Sequence, residues 1–298
     1  MRCRAQAKLV MPRLGPDLLE PLSAAGLQPL VLKGLSLAGR YPAEGLRPMD
    51  DVDLFLPAED RGVAVEVLSR VGWYEVHRSY TDYSLALAHP GLPGLPLDLH
   101  EDVAVREQRT FRLRAHDLWA ARRPVVVAGV EVFGLSPEWE LLLLATHAAK
   151  RFHTFDRLLW SVDASVIIGA AAASGSPVDW NQLADLARRT SARSAVAVLL
   201  AQAFRLGAES PAQLRELRGS SVRRRALAPL MCHDWPATEI DDATRNRLAY
   251  ALVDNPFLEV RKAVHEVAEV GASRAPLKGV VMAVKAIRRA WNLRSGEG

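Results

Sequence analysis

Apolar and polar positions repeat with two periods in the first half of the chain and essentially one in the second. Leu18, Leu19 and Leu22 recur at helical spacing in a helix predicted over Leu14 to Ala25, which Gly26 stops. Gln28 to Leu32 reads as a short buried strand and Gly34 to Tyr41 as the helix that follows it. Pro and Gly content makes Pro42 to Asp50 a loop. The next strand puts Val52, Leu54 and Leu56 on one face and Asp51 and Asp53 together on the other, because strand side chains alternate. Pro57 to Val71 has the pattern of an amphipathic helix carrying Val63, Val65, Val67, Leu68 and Val71, ended by Gly72. Tyr74 to Val76 and Tyr83 to His89 read as strands, the second with a Tyr83, Leu85, Leu87 face, and Pro90 to Pro96 as a turn. A further strand places Leu97 and Leu99 on one side and Asp98 and His100 on the other. After a charged stretch from Arg106 to Arg123, Pro124 to Leu135 has the form of a hairpin turning at Gly129.

From Ser136 the pattern becomes helical. Ser136 as a cap, Pro137 in the first turn and the acids Glu138 and Glu140 mark a helix start, running to Phe152. Helices over Asp156 to Ala173, Asp179 to Thr190 and Ser194 to Leu206 follow. The expected fold class is therefore α+β: a mixed sheet with helices over residues 1–135, then an α-helical domain over 136–298, with a nucleotide or acceptor cleft at the junction.

Two carboxylates side by side raise each other's pKa or need a cation, and the simplest cation is a hard divalent ion. Mg²⁺ is held by one or two carboxylates together with substrate phosphates and water. A two-metal arrangement stabilises the entering and leaving oxygens of phosphoryl transfer, and it requires a third carboxylate on the same sheet, for which strand alternation favours Asp98. Glu101 and Asp102 are alternatives if the strand register shifts, as Asp50 is to Asp51. At the neighbouring strand end, Gly34 lets backbone approach a phosphate closely, the following helix start favours an anion, and Lys33 offsets triphosphate charge. Arg47 has two readings, a contact to a nucleotide phosphate or a pair with Asp50.

Lys33-Gly34-Leu35-Ser36, a small-residue helix, Tyr41-Pro42, Arg47-Pro48 and Asp51-x-Asp53 resemble the nucleotidyltransferases of the DNA polymerase β superfamily. The pattern is most similar to the bacterial group called simply nucleotidyltransferase family proteins, which also tends to Lys-Gly where most of the superfamily has Gly-Gly or Gly-Ser. The resemblance covers roughly the first two-thirds of the chain. It implies that Asp98, in Leu97-Asp98-Leu99-His100, completes the metal-binding set and acts as general base or orients it, with His100 orienting Asp98, touching substrate, or packed at a strand end. It matches His147 and Lys150, Trp160 and Asp163, and Asp179 and Trp180 to elements of the group's helical half. One helical turn separates His147 from Lys150, in a cluster with Arg151 and His153 that reads either as nucleotide contacts or as a solvated face paired to Asp156 or Asp163.

The implied activity is transfer of a nucleoside monophosphate from a nucleoside triphosphate to a hydroxyl-type acceptor on a small molecule, peptide or protein, with release of pyrophosphate. Asp51, Asp53 and Asp98 would hold a Mg²⁺ pair, with Mn²⁺ as the alternative. Lys33, Gly34 and Ser36 would hold the triphosphate, and Arg47 and Lys150 would neutralise it. A toxin-like transferase acting on RNA and a noncatalytic nucleotide- or partner-binding protein are the alternatives.

Composition narrows this modestly. With 298 residues, 49% apolar and 24% charged, the chain has ample length for a core and the profile of a soluble globular protein. Cys3 and Cys232 are the only cysteines, too few for a disulfide framework, so a reducing cytoplasmic setting is expected. No secretory pattern opens the chain, and the longest uncharged stretch, Ala164 to Val178, is too short to span a bilayer. The net charge of +4 permits a polyanion partner, yet no RNA-binding module is recognisable, so nucleic acid is not favoured. Arg223 to Arg225 reads as a solvated basic run and Pro229 to Pro236 as a loop. Pro276 to Arg294 reads as an amphipathic basic helix, docked by its apolar stripe or lying on an acidic surface.

Overall fold

The structure is a computed structural model, and it describes residues 10–43, 45–78, 84–102, 111–150 and 153–208, with 227, 228, 230, 248, 251, 252 and 254. Cys3, Cys232, Tyr83, Arg151, the basic run Arg223 to Arg225 and the segment Pro276 to Arg294 lie outside the described residues. Within the loop expected over Pro229 to Pro236, Leu230 alone is described, and it is helical. The chain divides into two compact units, Met1–Val105 with Leu113–Glu140, and Arg106–Arg112 with Leu141–Gly298.

The first unit is built on a seven-stranded mixed sheet, so the expected α+β class holds. Its strands are β1 (Leu30–Leu32), β2 (Val52–Phe55), β3 (Tyr74–Arg78), β4 (Ser84–Ala88), β5 (Leu97–His100), β6 (Arg123–Val127) and β7 (Val130–Gly134), in the order β3-β4-β5-β2-β1-β7-β6. Central β1 pairs antiparallel with β2 and parallel with β7, and β2 pairs parallel with β5. At the β6–β7 hairpin Ala128 and Gly129 both have positive φ, 50° and 81°, the pattern of the two-residue turn whose twist matches that of the strands.

Alternation sorts the sheet residues cleanly. Val31, Val52, Leu54, Leu97, Leu99 and Val132 enter one core with Leu14, Leu18, Leu19 and Leu22 of helix α1. This helix spans residues 10–24, starting earlier than expected and passing Pro16 through a π-helical turn, Gly15–Leu19. Proline removes a helical donor and clashes with the preceding turn, and the widened turn accommodates it. The Asp17 carbonyl accepts a hydrogen bond from Trp73 Nε1 at 2.7 Å. Helix α2 is Lys33–Ala38, shorter than expected, and α3 is Arg61–Arg70. On α3 Ala64 and Leu68 are fully buried and Val65 and Val67 pack partly buried against the same core, whereas Val63 and Val71 of the expected stripe are exposed.

The opposite sheet face carries Asp53 and Phe55 of β2, Asp98 and His100 of β5, and Phe133 of β7. Helix α4 (Ala115–Ala120), unanticipated within the charged stretch, brings Trp119 to this face, with ring centroids 6.0 Å from Phe55 and 5.6 Å from Phe133. Helix α5 (Pro137–Ala148) crosses the boundary between the units. At its start the Ser136 hydroxyl donates to Glu138 Oε2 at 2.7 Å.

The second unit is helical in its described residues, with α6 (Leu158–Ala173), α7 (Trp180–Arg189) and α8 (Arg193–Arg205). Asp179 caps α7 as its sequence suggests, accepting from the backbone N–H groups of Asn181 and Gln182 at 2.9 and 3.0 Å. Ser161 of α6 donates to Gln202 of α8 at 2.8 Å, so the buried polar side chains of this pair satisfy each other.

Candidate active site

The site grows from one strand pairing. In the parallel β2–β5 register Asp53 lies directly beside Asp98, and adjacent strands are about 4.8 Å apart. Asp53 is only 2% exposed. Its Oδ1 lies 2.7 Å from Lys33 Nζ and 2.7 Å from His100 Nε2. The sequence pattern anticipated a carboxylate projecting from the sheet; the structure folds a lysine and a histidine over it.

Lys33 reaches Asp53 because of an unusual backbone. Leu32 is extended, but Lys33 has φ 45°, a left-handed conformation that costs a non-glycine residue about 1–3 kcal/mol. The chain thereby turns sharply from β1 into α2. Ser36 Oγ donates to the Lys33 carbonyl at 2.8 Å, and the hydroxyl also helps to lower the Glu140 carboxyl against its burial.

Charge is distributed unevenly among the acids. Burial pushes Asp53 up, but the Lys33 ammonium and the His100 hydrogen bond outweigh it and hold the carboxyl well below its ordinary range. Asp51, immediately before β2, is raised to about 6, first by burial and then by the Asp53 charge, with Lys33 opposing. Asp98 is also raised, by burial first and by Asp53, with His100 and Lys33 pulling against it. Burial lowers Lys33, yet Asp53, Asp51 and Asp98 together leave it above its usual value. Three acids thus share too little positive charge, which is the electrostatic condition for recruiting a cation.

The donor chemistry fits a divalent ion. Ligand atoms of Asp53, Asp98 and His100 all lie within 4.8 Å of one another. That set has His100 where the sequence reading had Asp51, although Asp51 is close enough to interact with Asp53 and Asp98. Of the alternative acids, Glu101 lies beyond β5 and pairs with Arg61 at 2.7 Å; Asp102 likewise lies past the strand end.

Arg47 packs on Gly34. A side-chain carbon at Gly34 would meet Arg47 Nη1 at 2.5 Å, so glycine is what admits the guanidinium there. Arg47 Nη1 also donates to the Pro48 carbonyl at 3.0 Å. Lys33, Gly34, Ser36, Arg47, Asp51, Asp53, Asp98 and His100 all belong to the first unit, and His147 and Lys150 to the second. The His147 ring stacks on His153 with centroids 4.8 Å apart, and both rings meet Trp160 edge-on at 6.0 and 5.2 Å. The Lys150 carbonyl accepts from the backbone N–H groups of His153 and Thr154, each at 2.9 Å. Thr154 and Phe155 follow with φ of 47° and 57°.

Sequence reasoning missed Arg40. It binds Glu140 through both guanidinium arms, Nη2 to Oε1 at 2.9 Å. The two residues stand 100 positions apart, and no local pattern links them.

The sequence profile of a family described as uncharacterised nucleotidyltransferases matches residues 4–207. The chain belongs to that family. The expected class, a transferase of nucleotidyl groups, is therefore the class of its family. Two similar solved structures are the solution structure of the antibiotic-resistance factor ANT(2'')-Ia and the crystal structure of ANT(2'')-Ia in complex with adenylyl-2''-tobramycin. Each is 17% identical to this chain with a TM-score of 0.42 and covers 59% of it, matching 90% and 96% of its own length respectively. No match was found among curated proteins. Among the described residues no helix is long and apolar enough to cross a membrane.

Proposed function

We propose that this nucleotidyltransferase moves a nucleoside monophosphate from a nucleoside triphosphate to a hydroxyl of a small molecule, peptide or protein, releasing pyrophosphate in a Mg²⁺-dependent or Mn²⁺-dependent reaction. The observation that carries this reading is the buried Asp53, paired in register with Asp98 and held by Lys33 at the turn into Gly34. Asp53 and Asp98, with Asp51 beside them, would hold the ion. A bound divalent ion supplies charge neutralisation on the triphosphate and lowers the pKa of an attached hydroxyl.

The chain's own residues supply the rest. Asp98, whose carboxyl is raised from its ordinary range, accepts or orients the proton of the acceptor hydroxyl. The acceptor oxygen bonds to the α-phosphorus as the bond to the bridging α–β oxygen breaks, and pyrophosphate leaves with that electron pair. Lys33 and Arg47 counter the charge of the triphosphate, and Gly34 leaves room for the Arg47 guanidinium. Positioning and electrostatic stabilisation account for most of the acceleration in this chemistry.

The direct test incubates purified protein with each of the four triphosphates and Mg²⁺ or Mn²⁺, with water as fallback acceptor. Nucleoside monophosphate and pyrophosphate are then quantified. Metal-dependent product from at least one triphosphate is expected, reduced about 10²- to 10³-fold or more in Asp53→Asn. Product formation equal in the variant, or absent from the wild type with every triphosphate, contradicts the reading.

A further inference from the structure

We infer that His100 is itself a metal ligand, so that the ion site is a mixed oxygen–nitrogen site favouring first-row transition-metal ions such as Mn²⁺ or Co²⁺ over Mg²⁺. The inference rests on the proposed metal-dependent reaction and specifies the ion that site takes.

The argument begins with strand parity. His100 stands two residues beyond Asp98 on β5, so both side chains leave the sheet on the face that carries Asp53. Leu97 and Leu99, on the other face, anchor the strand in the core at 0% and 1% exposure. A register slip would bury Asp98 and His100 in that core, so their common orientation is fixed.

Distance comes next. Two ligand atoms at right angles about an octahedral ion, each roughly 2.1 Å from it, are about 3.0 Å apart. His100 Nε2 and Asp53 Oδ1 stand 2.7 Å apart, a few tenths of an ångström from that spacing. The complete set of Asp53, Asp98 and His100 donors fits within 4.8 Å, against about 4.2 Å for ligands on opposite sides of such an ion. Nε2 ligation requires that the imidazole proton reside on Nδ1, so the ion replaces the hydrogen bond that Nε2 makes to Asp53 in its absence.

Donor softness then decides between ions. Mg²⁺ strongly prefers oxygen and retains water, whereas affinity for an imidazole-bearing site rises from Mn²⁺ through Co²⁺ along the Irving–Williams series. A residue that only positioned Asp53 would change the affinity for all these ions together.

The experiment uses the full-length protein with Mn²⁺, Co²⁺ and Mg²⁺ as probes. Pulsed electron paramagnetic resonance of the Mn²⁺-loaded wild type is expected to show directly coordinated histidine nitrogen, lost in His100→Asn. Calorimetric titration of His100→Asn is expected to show Mn²⁺ and Co²⁺ affinity reduced about tenfold or more, with Mg²⁺ affinity changed less than about threefold. Mn²⁺ bound without nitrogen coupling, or a parallel loss of all three ions in the variant, overturns the ligand assignment and makes His100 a positioning residue for Asp53. A wild type that binds none of the three ions overturns both this inference and the metal-dependent reading beneath it. The wild-type spectrum needs no variant, so a misfolded His100→Asn does not remove the test.

Discussion

Two buried acids of the first unit make an instructive pair. Asp53 meets Lys33 and His100, and Glu140 meets Arg40 through both guanidinium arms; the acids are 2% and 7% exposed. Their neighbours differ in kind. Around Asp53 stand two further acids, Asp51 and Asp98, both raised by burial and by the Asp53 charge. Around Glu140 stand Arg40, Arg123 and the Ser36 hydroxyl; burial raises its carboxyl while these groups pull against the shift. One acid with cations is a structural clasp, whereas a surplus of acids around shared cations is a site awaiting positive charge. Ser36 is where the regions meet, donating to the Lys33 carbonyl while its hydroxyl acts on the Glu140 carboxyl.

The comparison breaks most forcefully at Arg40. Arg40→Met leaves Glu140 buried without its main partner, and a loss of about 3–5 kcal/mol is expected in urea unfolding. Adding Glu140→Leu should recover most of it, because a buried pair is often replaceable by apolar residues. Turnover per folded molecule should change little in either variant. A large loss of turnover without loss of stability would show that the clasp belongs to the chemistry.

Asp51→Asn should act in the opposite sense. The folded carboxyl titrates near 6 against an ordinary 3.8, so the unfolded chain surrenders this proton first. Stability therefore falls as pH rises from about 4 to 6, and the penalty is complete above that window. Removing the charge in metal-free buffer should stabilise the protein by about 1–3 kcal/mol at pH 7.5 and have no effect below about pH 4. Asp53, depressed instead, adds stability above its ordinary pKa that is lost as pH falls through its lowered value. Melting curves across pH separate the two behaviours; a destabilised Asp51→Asn at pH 7.5 would count against the crowded-acid account.

Gly34→Ala is the mildest probe. The new methyl group displaces only the far end of Arg47, and alanine suits a helix better than glycine by roughly 0.5–1 kcal/mol. Stability should stay level or rise slightly, while KM for the triphosphate rises about tenfold, the equivalent of one charge-assisted hydrogen bond. An unchanged KM would remove Arg47 from the nucleotide contacts.

The legible parts of the fold are those that short-range periodicity encodes. Asp53 and Asp98 share a face because each is flanked by core residues on a strand, and that alternation survives in the β2–β5 register. The β6–β7 turn and the Asp179 cap were equally local. Helix α4 was hidden because it is six residues long and buries only Leu118 fully, too little for a period to appear. The stripe on α3 was legible in Val65, Val67 and Leu68, which pack on the core, but not in small Ala64, which is fully buried, nor in the exposure of Val63 and Val71. In the site, the acids and Lys33 could be read from the chain, but their sharing could not. That a lysine and a histidine converge on one oxygen of Asp53 depends on the left-handed turn at Lys33 and on residues of β2 and β5 that stand 47 positions apart.

The central claim is that the acids beside Asp53 assemble a metal-dependent nucleotide site. Calorimetric binding of the four nucleoside triphosphates to the purified protein, with and without Mg²⁺ or Mn²⁺, tests it most directly, with Asp51→Asn/Asp53→Asn as the control. The account predicts metal-dependent binding of at least one triphosphate, abolished in the double variant. Binding that is indifferent to metal, or that persists unchanged in the double variant, would contradict it.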